Sequence, residues 1–166
     1  MTTMEKLREN NTQYALDNPQ LPPGSAPQQQ VAILTCMDVR IDPLRIFGLA
    51  LGQAHVLRNA GARVTEDVVR SLAVSQQLLG TNLVIVMPHT RCGMLGLSES
   101  ALKPHAGDTV PPLNVLGISD LESDLQADLQ KLRTSAWISP SATLAGAIFD
   151  VESGRARVIQ ILGPEG

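Results

Sequence analysis

VAILTCMDVR, residues 31–40, joins two unlike halves. VAILT is a short apolar run containing the β-branched residues Val31, Ile33 and Thr35, the composition of a buried strand. A strand that served only a core would more often stop at a turn residue. This one runs straight into Cys36, with a carboxylate at Asp38 and a guanidinium at Arg40 close behind. NLVIVMPH, residues 82–89, repeats the arrangement: an apolar run of the fully buried kind ends in His89, and Cys92 follows in HTRC.

The chain around these stretches alternates strands with helices. Residues 2–17 read as a helix with few apolar positions, and NPQLPPGSAPQQQ (18–30) as a Pro-rich connector. Residues 41–53 are irregular or briefly helical. AHVLR (54–58) is a second strand, closed by a turn at Asn59 to Gly61. TEDVVRSLAVSQQLLG (65–80) is a punctuated helix: Thr65 caps it, Glu66 and Asp67 suit its positive end, and Gly80 stops it. Its expected apolar face is Val68, Val69, Leu72, Ala73 and Leu79. CGMLGLSESAL (92–102) reads as a short helix and 103–117 as a loop. A helix over 119–135 opens with Ser119 and Glu122 in capping-box spacing and carries a stripe at Leu121, Leu125, Leu129 and Leu132. TLAGAIFDVESGRARVIQIL (143–162) reads as two strands about a turn at Ser153 and Gly154. The sum is an α/β fold, a mostly parallel central sheet with an antiparallel edge strand and helices on both faces. Its 166 residues suit one domain, with residues 1–30 as an N-terminal helix and arm.

In open α/β sheets, ligands bind at the carboxyl ends of the strands, near a switch in strand order. Cys36, His89 and Cys92 all fall at that edge. Alone, a cysteine at a strand end is an ordinary small buried hydrophobe, and a lone histidine is an ordinary hydrogen-bonded residue. Together, if the two strands are neighbours, they make a Cys2His set of the kind that binds zinc with one position open. A disulfide between the two cysteines is the competing arrangement. Asp38 and Arg40, two apart on an extended segment, share one side and form either a local ion pair or a support for the site, with Arg40 orienting Asp38 through a bidentate pair.

Bulk properties exclude other classes. Hydrophobic residues make up 43% and charged residues 17%, an ordinary globular balance. A net charge of -3 argues against nucleic-acid binding by phosphate neutralisation and gives no attraction to an acidic membrane. Aromatic residues at 2% are too few for base stacking. No apolar run has the length of a membrane span, and the polar N-terminus lacks the apolar core of a secretory signal. With two cysteines and no export signal, reduced thiols and a cytoplasmic location are expected.

The order CMDVR, RNAGARVTEDVVRSL, HTRC resembles the β-class carbonic anhydrases, whose pattern is CxDxR followed by HxxC, and in particular their compact actinobacterial members. The resemblance runs from about residue 31 to residue 95. It implies a Zn2+ enzyme for the reversible hydration of carbon dioxide to bicarbonate and a proton, by a hydroxide that the zinc generates. It implies zinc ligation by Cys36, His89 and Cys92, a catalytic dyad of Asp38 and Arg40, and a substrate pocket shaped in part by Gly61. It also implies a homodimer or larger homo-oligomer, with the N-terminal helix lying on a partner subunit. Asp38 as a fourth zinc ligand would close the site, reversibly or as a permanent non-catalytic module or sensor. Hydrolysis of a related linear molecule such as carbon disulfide, or a thiol switch in which Cys36 and Cys92 pair, are the remaining alternatives.

Other charged and imidazole residues read as bystanders. Arg91, between the two ligands of HTRC, points to solvent; His55 is packed or at an interface; His105 is a surface residue or a proton shuttle. Asp42 and Arg58 are neighbours of the dyad or ion-pair residues, and the leucine stripe is packing. Scarce aromatics depart from relatives that line the pocket with Phe or Tyr.

Overall fold

A computed structural model describes residues 2–105, 111 and 113–164. Its core is a five-stranded sheet in the order β2-β1-β3-β4-β5. The strands are β1 (Val31–Cys36), β2 (Ala54–Asn59), β3 (Leu83–Met87), β4 (Thr143–Asp150) and β5 (Arg155–Leu162). β1 pairs in parallel with both β2 and β3, and β3 in parallel with β4. β5 returns antiparallel to β4 through a turn where Gly154, at φ 70°, donates its N–H to the Asp150 carbonyl at 2.8 Å. The chain leaves β1 toward β2 on one side and takes up β3 on the other, so the order reverses at β1. The carboxyl ends of β1 and β3 therefore flank a crevice.

The sheet's two faces differ. Ala32, Leu34, Val84, Val86, Leu144 and Ile148 point to one face and meet Val68 and Leu72 of α3 (Glu66–Gln77) and Leu125, Leu129 and Leu132 of α4 (Leu121–Arg133). Gly146 permits this approach: a Cβ there would lie 2.7 Å from a Leu129 methyl group and 3.1 Å from one of Leu125. The other face carries the segment after β1, with α2 (Pro43–Ile46), and gathers Ile41, Met87, Met94, Ile118, Ala147 and Phe149 around Cys36 and Cys92.

Caps and turns refine the expectations. Thr65 caps α3, its side chain accepting from the Val68 N–H. α3 ends at Gln77, so Leu79 falls beyond it, and two polar residues are buried on its inner side. Ser75 bonds His55 and Thr81, and Gln76 accepts from the Ser139 N–H at 3.0 Å. The expected Ser119–Glu122 capping box does not form. Asp120 is the cap of α4, accepting from the Ser123 N–H at 2.8 Å; Ser119 turns to Asp124, and Glu122 pairs with Arg157 at 2.6 Å. An ionised carboxylate matches the positive helix end better than a hydroxyl does. Nor is 92–102 an α-helix. Gly96 at φ 68° breaks it, Leu95 bridges Ile118, and only a 3-10 turn over Glu99–Ala101 remains. Residues 106–110 and 112 of the expected loop lie outside the described residues.

Helix α1 (Thr3–Asp17) opens with a capping box between Thr2 and Glu5 and buries no residue. No helix among the described residues is long and apolar enough to cross a membrane.

Candidate metal centre

Cys36 is the last residue of β1, in register with Asn59 of β2, and the next amide, Met37, donates to the Asn59 carbonyl at 2.9 Å. His89 lies two residues beyond the end of β3. Its segment is stitched to β4, with the Phe149 N–H donating to the Pro88 carbonyl and the Thr90 N–H to the Phe149 carbonyl, each at 2.9 Å. A tight turn, with Arg91 at φ 54°, then brings Cys92 back beneath His89. The three side chains are buried, and one ligand atom from each lies within 4.8 Å of the other two. Both cysteines are free, their sulfurs 3.9 Å apart. Two thiolates on one tetrahedral zinc at about 2.3 Å each would stand about 3.8 Å apart.

The donor atoms are prepared for a cation. His89 Nδ1 lies 2.9 Å from the Thr90 carbonyl, which can only accept, so Nδ1 carries the proton and Nε2 the lone pair. That Nε2 is buried with no hydrogen-bond partner. Burial lowers the His89 pKa, which keeps the ring neutral, and burial raises that of the Cys92 thiol. A buried thiol that resists ionisation and an orphaned imidazole nitrogen are what a bound cation reverses and satisfies. The Gly61 amide donates to Cys36 Sγ at 3.4 Å from a turn in which Gly61 holds φ 80°. A side chain there would be strained and would press on Ile118 and Met94 at 3.2 Å.

Asp38 and Arg40 stand beside this cluster. Arg40 Nε reaches Oδ1 at 2.9 Å and an Arg40 terminal nitrogen reaches Oδ2 at 2.7 Å, a two-pronged fork. The segment is not extended as expected: residues 39 and 40 form a turn, and the Arg40 amide also donates to Asp38 Oδ1 at 2.9 Å. Arg40 further donates to the Arg91 carbonyl at 3.1 Å, tying the two ligand loops together. Asp38 Oδ2 is 3.7 Å from His89 Nε2. The Arg40 hydrogen bonds hold the Asp38 carboxyl well below the usual carboxylate range, so it is ionised.

The remaining residues fall into place. Arg91 turns its side chain to solvent and pairs with Glu152 at 2.7 Å. Asp42 caps α2, accepting from the Arg45 amide. His55 bonds Ser75 Oγ at 2.7 Å and the Ser25 carbonyl at 2.8 Å, pinning the N-terminal arm to α3. His105 is exposed. Two further supports appear: the Thr90–Asp150 pair, which sequence reasoning missed, and Arg58, expected as a neighbour of the dyad or an ion-pair residue, which instead bonds main-chain carbonyls. The Thr90 hydroxyl donates to Asp150 at 3.0 Å, anchoring the carbonyl that fixes the His89 ring, and Arg58 bonds the backbone of the Cys36 loop. Asp150 lies 60 positions from Thr90, so no local spacing marks it.

A buried Cys2His cluster at the strand-order switch, with a forked carboxylate beside it, defines an α/β protein built around a metal-competent centre. The comparisons with known proteins narrow this. The carbonic anhydrase family model matches residues 31–113. The β-carbonic anhydrase 1 of Mycobacterium tuberculosis is 37% identical over 158 residues, spanning 93% of this chain and 96% of that protein. The crystal structure of a Streptococcus mutans carbonic anhydrase superimposes with a TM-score of 0.86 at 36% identity, over 96% of this chain and 99% of that one. A carbon disulfide hydrolase from an Acidianus strain is more distant, at 27% identity over 81% of this chain and 79% of its own length. The chain belongs to the carbonic anhydrase family, in its β class, whose enzymes hydrate carbon dioxide reversibly.

Proposed function

We propose that Cys36, His89 and Cys92 hold a zinc ion, and that with it this chain interconverts carbon dioxide and bicarbonate. When bound there, zinc supplies the Lewis acidity that brings the pKa of water to about 7, so that a nucleophile exists at neutral pH. The Asp38–Arg40 fork beside the buried cluster carries this reading. Ionised Asp38 accepts a hydrogen bond from the nucleophile's remaining O–H and orients its lone pair toward the carbon. Arg40 occupies both carboxylate oxygens, which favours Asp38 as an acceptor over Asp38 as a permanent fourth ligand. Gly61, its amide against Cys36 Sγ, withdraws charge from that thiolate, and the tight turn it permits, packed on Ile118 and Met94, forms part of the wall beside the substrate. Over the whole reaction carbon dioxide takes up one water and yields bicarbonate and one proton; with zinc held by Cys36, His89 and Cys92, Asp38 would orient the oxygen that joins the carbon.

The whole chain works as one domain with residues 1–30 as an arm, in a homodimer or larger homo-oligomer. In support, α1 buries nothing of its own, and Met37 and Val39, which flank Asp38, are 66% and 99% exposed. Apolar residues at a site's rim suit cover by a second copy. Light scattering on the full chain and on a version lacking residues 1–17 tests this. Free thiols fit a reducing compartment, the cytoplasm.

Stopped-flow carbon dioxide hydration from about pH 7 to 9, on zinc-loaded and chelator-stripped protein, tests the activity. A rate that rises with pH and disappears with the zinc supports it. One zinc per chain with no hydration at any pH sinks it, and hydrolysis of carbon disulfide by that same preparation would put the chain with its more distant relatives.

A further inference from the structure

We infer that Arg58 is a positioning residue of the metal centre: its guanidinium clamps the main chain on both sides of Met37 and so sets where Cys36 and Asp38 present their side chains. The inference rests on the zinc reading above.

Arg58 lies on β2, in register with Thr35 of β1, one residue short of the Asn59–Cys36 pair. Its Nε donates to the Cys36 carbonyl at 3.0 Å and a terminal nitrogen donates to the Asp38 carbonyl at 2.6 Å. One planar fork thus spans residues 36 to 38, where the strand ladder ends. The Asp38 carbonyl also receives the Ile41 amide at 3.1 Å, and the Asp38 side chain is held by Arg40. Asp38 is therefore fixed at both ends, by Arg58 through its backbone and by Arg40 through its carboxylate.

Beside the Arg40 and Ile41 contacts at Asp38, this fork is what ties the segment to β2 beyond the ladder; within one chain Met37 and Val39 are exposed. The last ladder contact is the Met37 amide on the Asn59 carbonyl. Donors held in a fixed plane on two nitrogens suit two carbonyls separated by one residue, and a lysine ammonium has no equivalent geometry. His89 has its own support in Thr90 and Asp150. Arg58 is the counterpart for the cysteine side of the centre, built from a cation on carbonyls instead of a hydroxyl on a carboxylate. Groups that orient metal ligands in this way change metal affinity or turnover by about 10–100-fold when removed.

The test uses full-length zinc-loaded protein with Arg58→Met, which keeps the stem and loses the fork, and Arg58→Lys, which keeps the charge and reaches one carbonyl. Three quantities are read: zinc release to a chromogenic chelator, the visible spectrum of the cobalt(II)-substituted protein, and kcat with KM. For Arg58→Met, release about tenfold faster or more is expected, with an altered cobalt spectrum and a lower kcat. Arg58→Lys should fall between it and wild type. A merely structural arginine would lower the thermal midpoint and leave release and spectrum alone. Release, spectrum and kcat within twofold of wild type in both variants overturn the inference. Should Arg58→Met fail to fold, Arg58→Lys decides by the same criteria. Wild-type protein that binds zinc without hydrating carbon dioxide defeats the activity reading alone, because release and spectrum still judge Arg58. Wild-type protein that binds no zinc defeats both.

Discussion

The two faces of the sheet are built for different ends. On one, two helices seat Val68, Leu72, Leu125, Leu129 and Leu132 on an aliphatic surface. The other mixes Cys36, Cys92, Met87, Met94 and Phe149 and leads to the candidate metal centre. The first face holds the sheet together through burial, which is nondirectional and tolerates modest repacking. The second positions three donor atoms, a directional task that depends on hydrogen bonds to Thr90, Asp150, Arg40 and Arg58. Stability and chemistry should therefore separate under mutation.

His89→Ala should break the comparison most sharply. It removes a donor atom, so zinc stoichiometry measured by elemental analysis and hydration measured by stopped flow should both collapse to background. The aliphatic face should stay folded, with the far-UV circular dichroism of wild type. Asp38→Asn should retain zinc and lose about 10²–10³-fold in kcat, the range for removing one preorganised hydrogen-bonding group at the reacting atoms. Retention of wild-type kcat by that variant would remove Asp38 from the reaction.

Leu129→Ala probes the opposite face. Leu129 is fully buried, and truncation there should cost about 2–5 kcal/mol of unfolding free energy in a denaturant titration. Its kcat/KM per folded molecule should match wild type; a large loss would show that the faces are coupled. Smaller still is the cap of α3, where Thr65→Ala should cost about 1 kcal/mol at any pH, since a hydroxyl does not titrate. The cap of α4 should differ in kind. Backbone and hydroxyl hydrogen bonds from Ser123 lower the Asp120 pKa below its ordinary 3.8. A depressed carboxylate contributes stability above its unfolded pKa and loses it as pH falls through the folded one. Asp120→Ala should destabilise at neutral pH, and the gap to wild type should close as the solution is acidified below about pH 4. A gap that persists in acid would show that the cap does not act through its charge.

Much of the site was legible because it is local to strand ends. Cys36, Asp38 and Arg40 lie within five residues, His89 and Cys92 within four, and each group terminates an apolar run whose direction places it at the carboxyl edge. The rest depended on partners distant in sequence. Ser119 and Glu122 had the right spacing for a cap, yet Arg157, 35 residues away, drew off Glu122 while Asp120 took the cap. CGMLGLSESAL carried helical residues, but Ile118 offered its amide and carbonyl to Met94 and Gly96 and held the segment in turns.

By itself the sequence determined the strands, the residue types at their ends and therefore the kind of centre the chain builds, because apolar periodicity and side-chain chemistry are properties of single segments. Tertiary structure alone decided that β1 and β3 are neighbours, that the two sulfurs stand 3.9 Å apart, and that Arg58 and Asp150 support the two ligand loops. Those are relations between segments, set by strand order and by which buried polar group finds a partner, and no spacing along the chain encodes them.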